Sequence, residues 1–167
     1  GGLLAKDTFS RGYTLGIKVV QLAQRLGARF ALTETAMPLI ERLRDQTGET
    51  AALHVRIGTV RLCVGQLPSP QPVRLMLETN HPYPLVCGAA SKAFLAYLPA
   101  ASLEDLVSQL PASAGQALMR ELPAIRKQEF AVSCSEVLAH TTSICAAVLS
   151  RSGLPLPTIG IHGLAYH

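Results

Sequence analysis

Apolar side chains at Leu15, Val19, Leu22, Ala23 and Leu26 recur at the three- and four-residue spacing of one helical face. They predict a helix over residues 15–28, with Gly27 near its end, where a left-handed cap is common. A second set, Ala36, Leu39, Ile40 and Leu43, predicts a helix over 33–47 that Thr33 can cap and Gly48 stops. Pro38 is harmless there only if the helix starts close to it, because proline brings no N–H. The period then changes to two. Leu53, Val55 and Ile57 alternate with His54, Arg56 and Gly58; Val60, Leu62 and Val64 alternate with Arg61, Cys63 and Gly65. This predicts two strands joined by a turn at Gly58-Thr59. Upstream, the short apolar stretches 3–6 and 11–15 flank Asp7-Thr8-Phe9-Ser10 and read as a small hairpin.

Pro68-Ser69-Pro70-Gln71-Pro72 forbids regular pairing and marks a loop. Residues 73–77 read as the next strand, and Asn80-His81-Pro82-Tyr83-Pro84 as another irregular loop. A helix is predicted over 89–98. Ser102-Leu103-Glu104-Asp105 opens the next with a capping-box-like pattern, and one more spans 115–127, perturbed at Pro123. Strands return at 130–134, 143–149 and 156–162, with Arg151-Ser152-Gly153 as a tight turn. The order predicts an α+β fold in which helices cover an antiparallel sheet.

Length and composition narrow the class. The chain of 167 residues is 49% apolar and 16% charged. That is enough for one full core, and too apolar for a disordered tail. No apolar run approaches the ~18–20 residues of a membrane span, and the N-terminus has no signal-peptide core, so a cytoplasmic protein with no membrane partner is expected. The net charge of +4 comes without a block of Lys and Arg, so the footprint of a nucleic-acid binder is missing. Residues 131–167 hold only two charged side chains, Glu136 and Arg151, and must be mostly core, pocket or subunit interface. Cys63, Cys87, Cys134 and Cys145 show no C-x-x-C spacing and read as free thiols.

Candidate chemistry is sparse. Ser91-Lys92 is adjacent rather than helically spaced, so it reads as a helix start, and no enzymatic activity is expected. His140, Cys134, Cys145 and His162 carry metal-ligating atoms, and Cys134 and Cys145 would approach each other if their strands pair, but their spacing matches no known site; no metal and no cofactor are expected. A ligand pocket is better supported. Gly88-Ala89-Ala90 places small side chains at a helix start, whose N–H groups lack intrahelical partners. Ser133, Ser143 and His162 add polar atoms to strands that otherwise read as buried, and buried polar groups need partners.

Several segments in this order resemble the effector-binding domain of the IclR family of bacterial transcription regulators. They are Gly12-Tyr13-Thr14-Leu15-Gly16, Ala36-Met37-Pro38-Leu39, Thr47-Gly48-Glu49-Thr50-Ala51-Ala52-Leu53 and Gly88-Ala89-Ala90-Ser91-Lys92-Ala93-Phe94. Phe130-Ala131-Val132-Ser133, Ser143-Ile144-Cys145-Ala146-Ala147-Val148 and Ile159-Gly160-Ile161-His162-Gly163 continue the match. The resemblance implies a GAF-like antiparallel sheet covered by helices, binding a small organic acid effector. It implies residues 1–14 as the wing of a winged helix-turn-helix with its linker, and 15–167 as the effector-binding domain. The recognition helix is not in this chain, so contact with DNA would come only through a missing N-terminal domain; the family's final helix is likewise expected to be absent beyond His167. Assembly as a homodimer or homotetramer is implied too.

Carried over by position, the resemblance places Ala89 and Ala90 at the helix start, Leu75 and Tyr83 before it, Ser133, Thr141 and Ser143 on later strands, and Gly160 and His162 on the last strand as the pocket lining. The effector carboxylate would meet the N–H groups near 89–91 and a hydroxyl of Ser143 or Ser133, and a protonated His162 would add a charge-assisted hydrogen bond. The chain departs from the family where glycine is frequent, at Asn80 or His81, Ser91, Glu129 and His140, which predicts local strain if the backbone is kept. An assembly module without a working pocket, and a small hydrolase using Ser91 or a cysteine, are the competing readings.

Overall fold

The computed structural model describes residues 2–7, 12–25 and 27–165. They form two compact units, Gly1–Ala36 and Met37–His167. In the first unit, β1 (Leu4–Lys6) and β2 (Tyr13–Leu15) pair antiparallel, as the sequence predicts; the expected turn at 8–10 lies outside the described residues. Helix α1 spans Ile17–Arg25. Helix α2 spans Gly27–Thr47, so it begins six residues before the expected cap at Thr33, and Gly27 opens it instead of closing α1. Pro38 therefore sits inside a helix and withholds one N–H from the ladder.

The second unit is built on a six-stranded antiparallel sheet. Its strands are β3 (Thr50–Ile57), β4 (Val60–Leu67), β5 (Tyr83–Pro84), β6 (Ala131–Cys134), β7 (Thr141–Leu149) and β8 (Pro155–Leu164), in the order β5-β4-β3-β8-β7-β6. The turn at Gly58-Thr59 and the return at 151–153 fall where the sequence puts them. The strand expected at 73–77 does not form. Its backbone is held by side chains: Gln66 donates from Nε2 to the Leu77 carbonyl at 2.6 Å and accepts the Leu77 amide at 3.0 Å, and Thr50 Oγ1 donates to the Leu75 carbonyl at 2.7 Å. The edge pairing passes instead to Tyr83 and Pro84, in the stretch expected to be loop.

Helices α3 (Ala89–Leu95), α4 (Ala100–Ser108) and α5 (Ala112–Gln128) share one core with the sheet. Helix α4 starts after Pro99, with no side-chain cap, so Ser102 lies within it. The core joins Leu85, Phe94 and Leu95 to Leu106, Leu118, Leu122 and Ile125, and reaches Ala131 and Cys145 on the sheet. Period two decides which strand residues face it. Ala131 pairs with Cys145, which pairs with Gly160, which pairs with Ala52; these lie in one row. Gly160 is what lets that row close, since a Cβ there would stand 2.2 Å from the Cys145 sulfur. The next row is Ser133, Ser143, His162 and Thr50. It carries the polar atoms of the charge-poor segment to the same face.

Candidate functional site

A cavity of about 230 Å³ opens on that face, between the start of α3, the strand β4, the irregular segment 75–77 and the loop after β6. Eight of the nine expected lining residues surround it: Leu75, Tyr83, Ala89, Ala90, Ser133, Thr141, Ser143 and His162. Gly160 is not on its wall, because it sits one row deeper, against Cys145. The sequence reading missed His54, Arg61, Cys63, Met76, Leu77, Val137 and Leu138.

The alternation over 53–64 places His54 and Arg61 among the residues between the apolar positions of the hairpin. In the fold β3 lies between β4 and β8, and Thr50 through Val55 are all buried. The polar side of the hairpin therefore faces the cavity. The signal available in the sequence was the polar set of the C-terminal strands, which needs polar neighbours across the sheet.

Arg61 is 6% exposed. Its Nε donates to Ser91 Oγ at 2.9 Å, its Nη1 stands 3.5 Å from His54 Nδ1, and its guanidinium lies 4.9 Å from the centre of the Tyr83 ring. Among the described residues no carboxylate pairs with it. Ser91 thus holds a cation in place, and its hydroxyl turns to the Pro84 carbonyl at 3.4 Å.

From Arg61 the polar contacts run inward. His54 Nε2 and His162 Nε2 are 3.1 Å apart, and His162 Nδ1 meets Ser143 Oγ at 2.8 Å. With Arg61 donating towards His54 Nδ1, His54 carries its proton on Nε2 and gives it to His162. His162 then donates from Nδ1 to Ser143, whose own proton is free for the cavity. The Ser133 hydroxyl has no partner among the described residues. Thr141 is committed, donating to the Leu138 carbonyl at 2.6 Å.

Burial sets the charges. It pushes the His162 pKa down to about 4, helped by Arg61, and lowers His54 well below the ordinary histidine value, helped by His162 and Arg61. His162 is therefore neutral at pH 7, and the charge-assisted bond that a protonated ring would give is not made there. Burial raises Cys63 to about 11 and Cys145 to about 12, so both remain thiols. Burial also lowers the Arg61 pKa from its high starting value, but guanidinium stays charged in proteins. The cavity therefore carries one positive charge and no negative one.

The start of α3 also differs from expectation. Gly88 has φ 82°, a conformation open to glycine, and a Cβ there would meet Val137 at 2.7 Å. Its amide is taken by Glu136 Oε2 at 3.0 Å, just before the N–H groups of 89–91 that are expected to meet a ligand. Glu136 Oε1 accepts from Lys92 Nζ at 2.6 Å, and Lys92 also reaches Glu121 at 2.7 Å. The register separates the two cysteines considered for a metal. Cys134 pairs with Thr142 on the face opposite Cys145. All four cysteines are free.

This fold, with a cavity on one face of its sheet, is that of a known family. Residues 24–167 match the family model for the C-terminal domain of bacterial IclR transcriptional regulators. The chain belongs to the IclR family and carries its effector-binding domain. KipR, an HTH-type transcriptional regulator of Bacillus subtilis, is 26% identical over 170 residues, covering 97% of this chain and 68% of KipR. The crystal structure of the Thermotoga maritima IclR matches with a TM-score of 0.76 at 21% identity, over 98% of this chain and 69% of that one. An IclR homolog from Microbacterium hydrocarbonoxydans, crystallised with 4-hydroxybenzoate, matches with a TM-score of 0.82 at 20% identity, over 99% and 71%. These structures share the α+β fold of a curled antiparallel sheet with helices. The relatives are transcriptional regulators, and no described helix is long and apolar enough to cross a membrane.

Proposed function

We propose that the domain senses a small organic carboxylate in the cavity beside Arg61. The observation that carries this reading is a buried guanidinium with no acidic partner among the described residues, facing a cavity whose other ionisable groups are neutral. A buried cation left unpaired is costly, and a carboxylate entering the cavity supplies the missing charge and acceptors. Ser143 and Ser133 add hydroxyl donors. Leu75, Tyr83, Ala89 and Ala90 give the apolar remainder of the wall. The volume is below the ~300–1,000 Å³ of sites for drug-sized ligands, which favours a compact metabolite. The 4-hydroxybenzoate bound by the Microbacterium protein is a carboxylate of that kind.

In this reading ligand binding biases the arrangement of DNA-binding domains joined to the effector domain, and an effector preferring one arrangement 100-fold contributes ~2.7 kcal/mol per site. Residues 1–14 would be the wing and linker through which that bias passes. Assembly into a cytoplasmic homodimer or homotetramer is part of the proposal. It is supported by apolar side chains exposed on the outer sheet face, among them Val132, Ile144 and Val148.

Calorimetry and thermal shift with a panel of aromatic and short-chain carboxylates, 4-hydroxybenzoate included, test the proposal. The matching amides serve as neutral controls. An acid that binds, with its amide silent and its affinity cut at least about tenfold (1.4 kcal/mol) by Arg61→Met, is the expected result. A folded protein silent to the whole panel, or unaffected by Arg61→Met, overturns it.

A further inference from the structure

Val137 and Leu138 line the cavity yet are 48% and 54% exposed, so the loop that carries them, residues 135–140 between β6 and β7, stands at its mouth. Behind them Arg61, Ser133 and His162 are buried. Groups buried to this degree are reached from solvent only when part of their cover moves aside. We propose that residues 135–140 form a lid over the cavity, latched by Glu136 onto Gly88 and Lys92, whose lifting admits the effector. This rests on the reading of the cavity as a carboxylate site and deepens it, since it adds how access to that site is controlled.

The loop is tied so that it moves as a unit. At its base the Ser135 amide donates to the Thr141 carbonyl at 2.7 Å, and Ser135 Oγ accepts the His140 amide at 3.0 Å. Thr141 Oγ1 donates to the Leu138 carbonyl at 2.6 Å, and the Ala165 amide donates to the His140 carbonyl at 2.9 Å. Ser135 and His140 have φ 55° and 59°, in the left-handed region, so the chain turns sharply at both ends of the loop. The tip meets the start of α3 by side chains and not by a backbone ladder. Glu136 Oε2 accepts the Gly88 amide at 3.0 Å, and Glu136 Oε1 accepts from Lys92 Nζ at 2.6 Å. Val137 fills the space in front of Gly88, where a Cβ would stand 2.7 Å from its Cγ2.

This latch opens without leaving a buried charge unpaired. Lys92 also pairs with Glu121 at 2.7 Å, so it keeps a carboxylate when Glu136 leaves. The Glu136 side chain is already 29% exposed and passes to water. The Gly88 amide, freed at the mouth, is met by the water that enters. Gly88 also joins the latch to the cation: a Cβ on it would stand 3.6 Å from Arg61 Nη2, which puts Arg61 close behind the closed lid. The other irregular wall, 75–77, is held by the Gln66 and Thr50 side chains and serves as the control.

The test needs no effector. In a chain carrying Cys87→Ser and Cys134→Ser two thiols remain, Cys63, buried on the cavity wall, and Cys145, buried off it. Methyl methanethiosulfonate labels Cys63 when the lid lifts and Cys145 when the domain unfolds. The ratio of the two rates, read by mass spectrometry of peptides, therefore separates local opening from lost stability. Glu136→Ala should raise the Cys63 to Cys145 ratio at least about tenfold (1.4 kcal/mol), with Glu136→Gln between it and the parent. Gln66→Ala should leave the ratio where it is. A ratio unchanged by Glu136→Ala, with both thiols speeding up together or neither, overturns the lid. A ratio raised at least as much by Gln66→Ala places the entrance at 75–77 and overturns it too. Acids that bind through Arg61, together with a ratio that ignores Glu136, sink this inference alone. A ratio that follows Glu136 in a protein silent to every acid upholds the lid and counts against the carboxylate reading.

Discussion

Glu136 accepts the backbone N–H of Gly88 at 3.0 Å, tying the start of α3 to a loop 48 positions further along the chain. Its second oxygen takes the Lys92 ammonium at 2.6 Å. One carboxylate therefore closes the helix start, pairs a buried lysine and fixes the wall of the cavity next to Arg61. Glu136→Gln keeps the shape and removes the charge, and its amide end must face one of two donors. A loss of about 1–3 kcal/mol is expected for hydrogen bonds to charged groups, read by urea unfolding. Acid binding should weaken less than in Arg61→Met. A variant as stable as the parent would show that the contact holds nothing.

The same cluster predicts a response to alkali. Burial pulls the Lys92 pKa down, but hydrogen bonds to Glu121 and Glu136 outweigh it, and the net shift is upward from 10.5. A group whose folded pKa is raised stabilises fully below its unfolded pKa and loses that contribution as pH passes the folded value. The stability gap between the parent and Lys92→Met should thus be constant from neutral pH to about 9.5 and close above about 10.5. Unfolding free energies of both proteins across that range check it. A gap that widens with alkali would contradict the pairing.

Much of the fold could be read from periodicity, because alternation and helical spacing report directly on which faces are buried. The two hairpins, β7, β8 and the three later helices all come from such patterns. What could not be read is where side chains stand in for backbone. Gln66 replaces a strand partner for Leu77, which no local pattern at 73–77 announces. Glu136 occupies the helix start at Gly88, a contact between distant segments. The site was legible as a set of small and hydroxyl residues in charge-poor strands. Its charge was not, since Arg61 reads as a solvated residue until β3 is known to be central and covered on both faces.

Thr158 is fully buried, pairs across the sheet with His54 and Ala147, and its hydroxyl finds no partner among the described residues. An unsatisfied buried hydroxyl costs about 1–3 kcal/mol, and replacing it with a methyl of similar shape removes that cost. Thr158→Val is expected to be neutral to stabilising by about 1 kcal/mol, measured by chemical unfolding. A loss larger than that would mean that the hydroxyl has a partner, such as an enclosed water.

Glu129 ends α5 with φ 69° and ψ 7°, the left-handed conformation that closes many helices. Its amide bonds to the Ile125 carbonyl at 2.8 Å, so the cap is formed despite the side chain. Asn80 and His140, at two more positions where the resemblance implies glycine, also have positive φ, 58° and 59°. Asparagine tolerates this region, whereas glutamate crowds its Cβ against the carbonyl at a cost of about 1–2 kcal/mol. Glycine removes the crowding but gives the unfolded chain more freedom, which returns part of the gain. Glu129 is exposed, so little packing is lost. The net expectation for Glu129→Gly is a gain of about 1 kcal/mol, or a rise in melting temperature of ~2–4 °C for a chain of this size. Calorimetry decides it: a fall in melting temperature would show that the carboxylate contributes more to the end of α5 than the backbone strain costs.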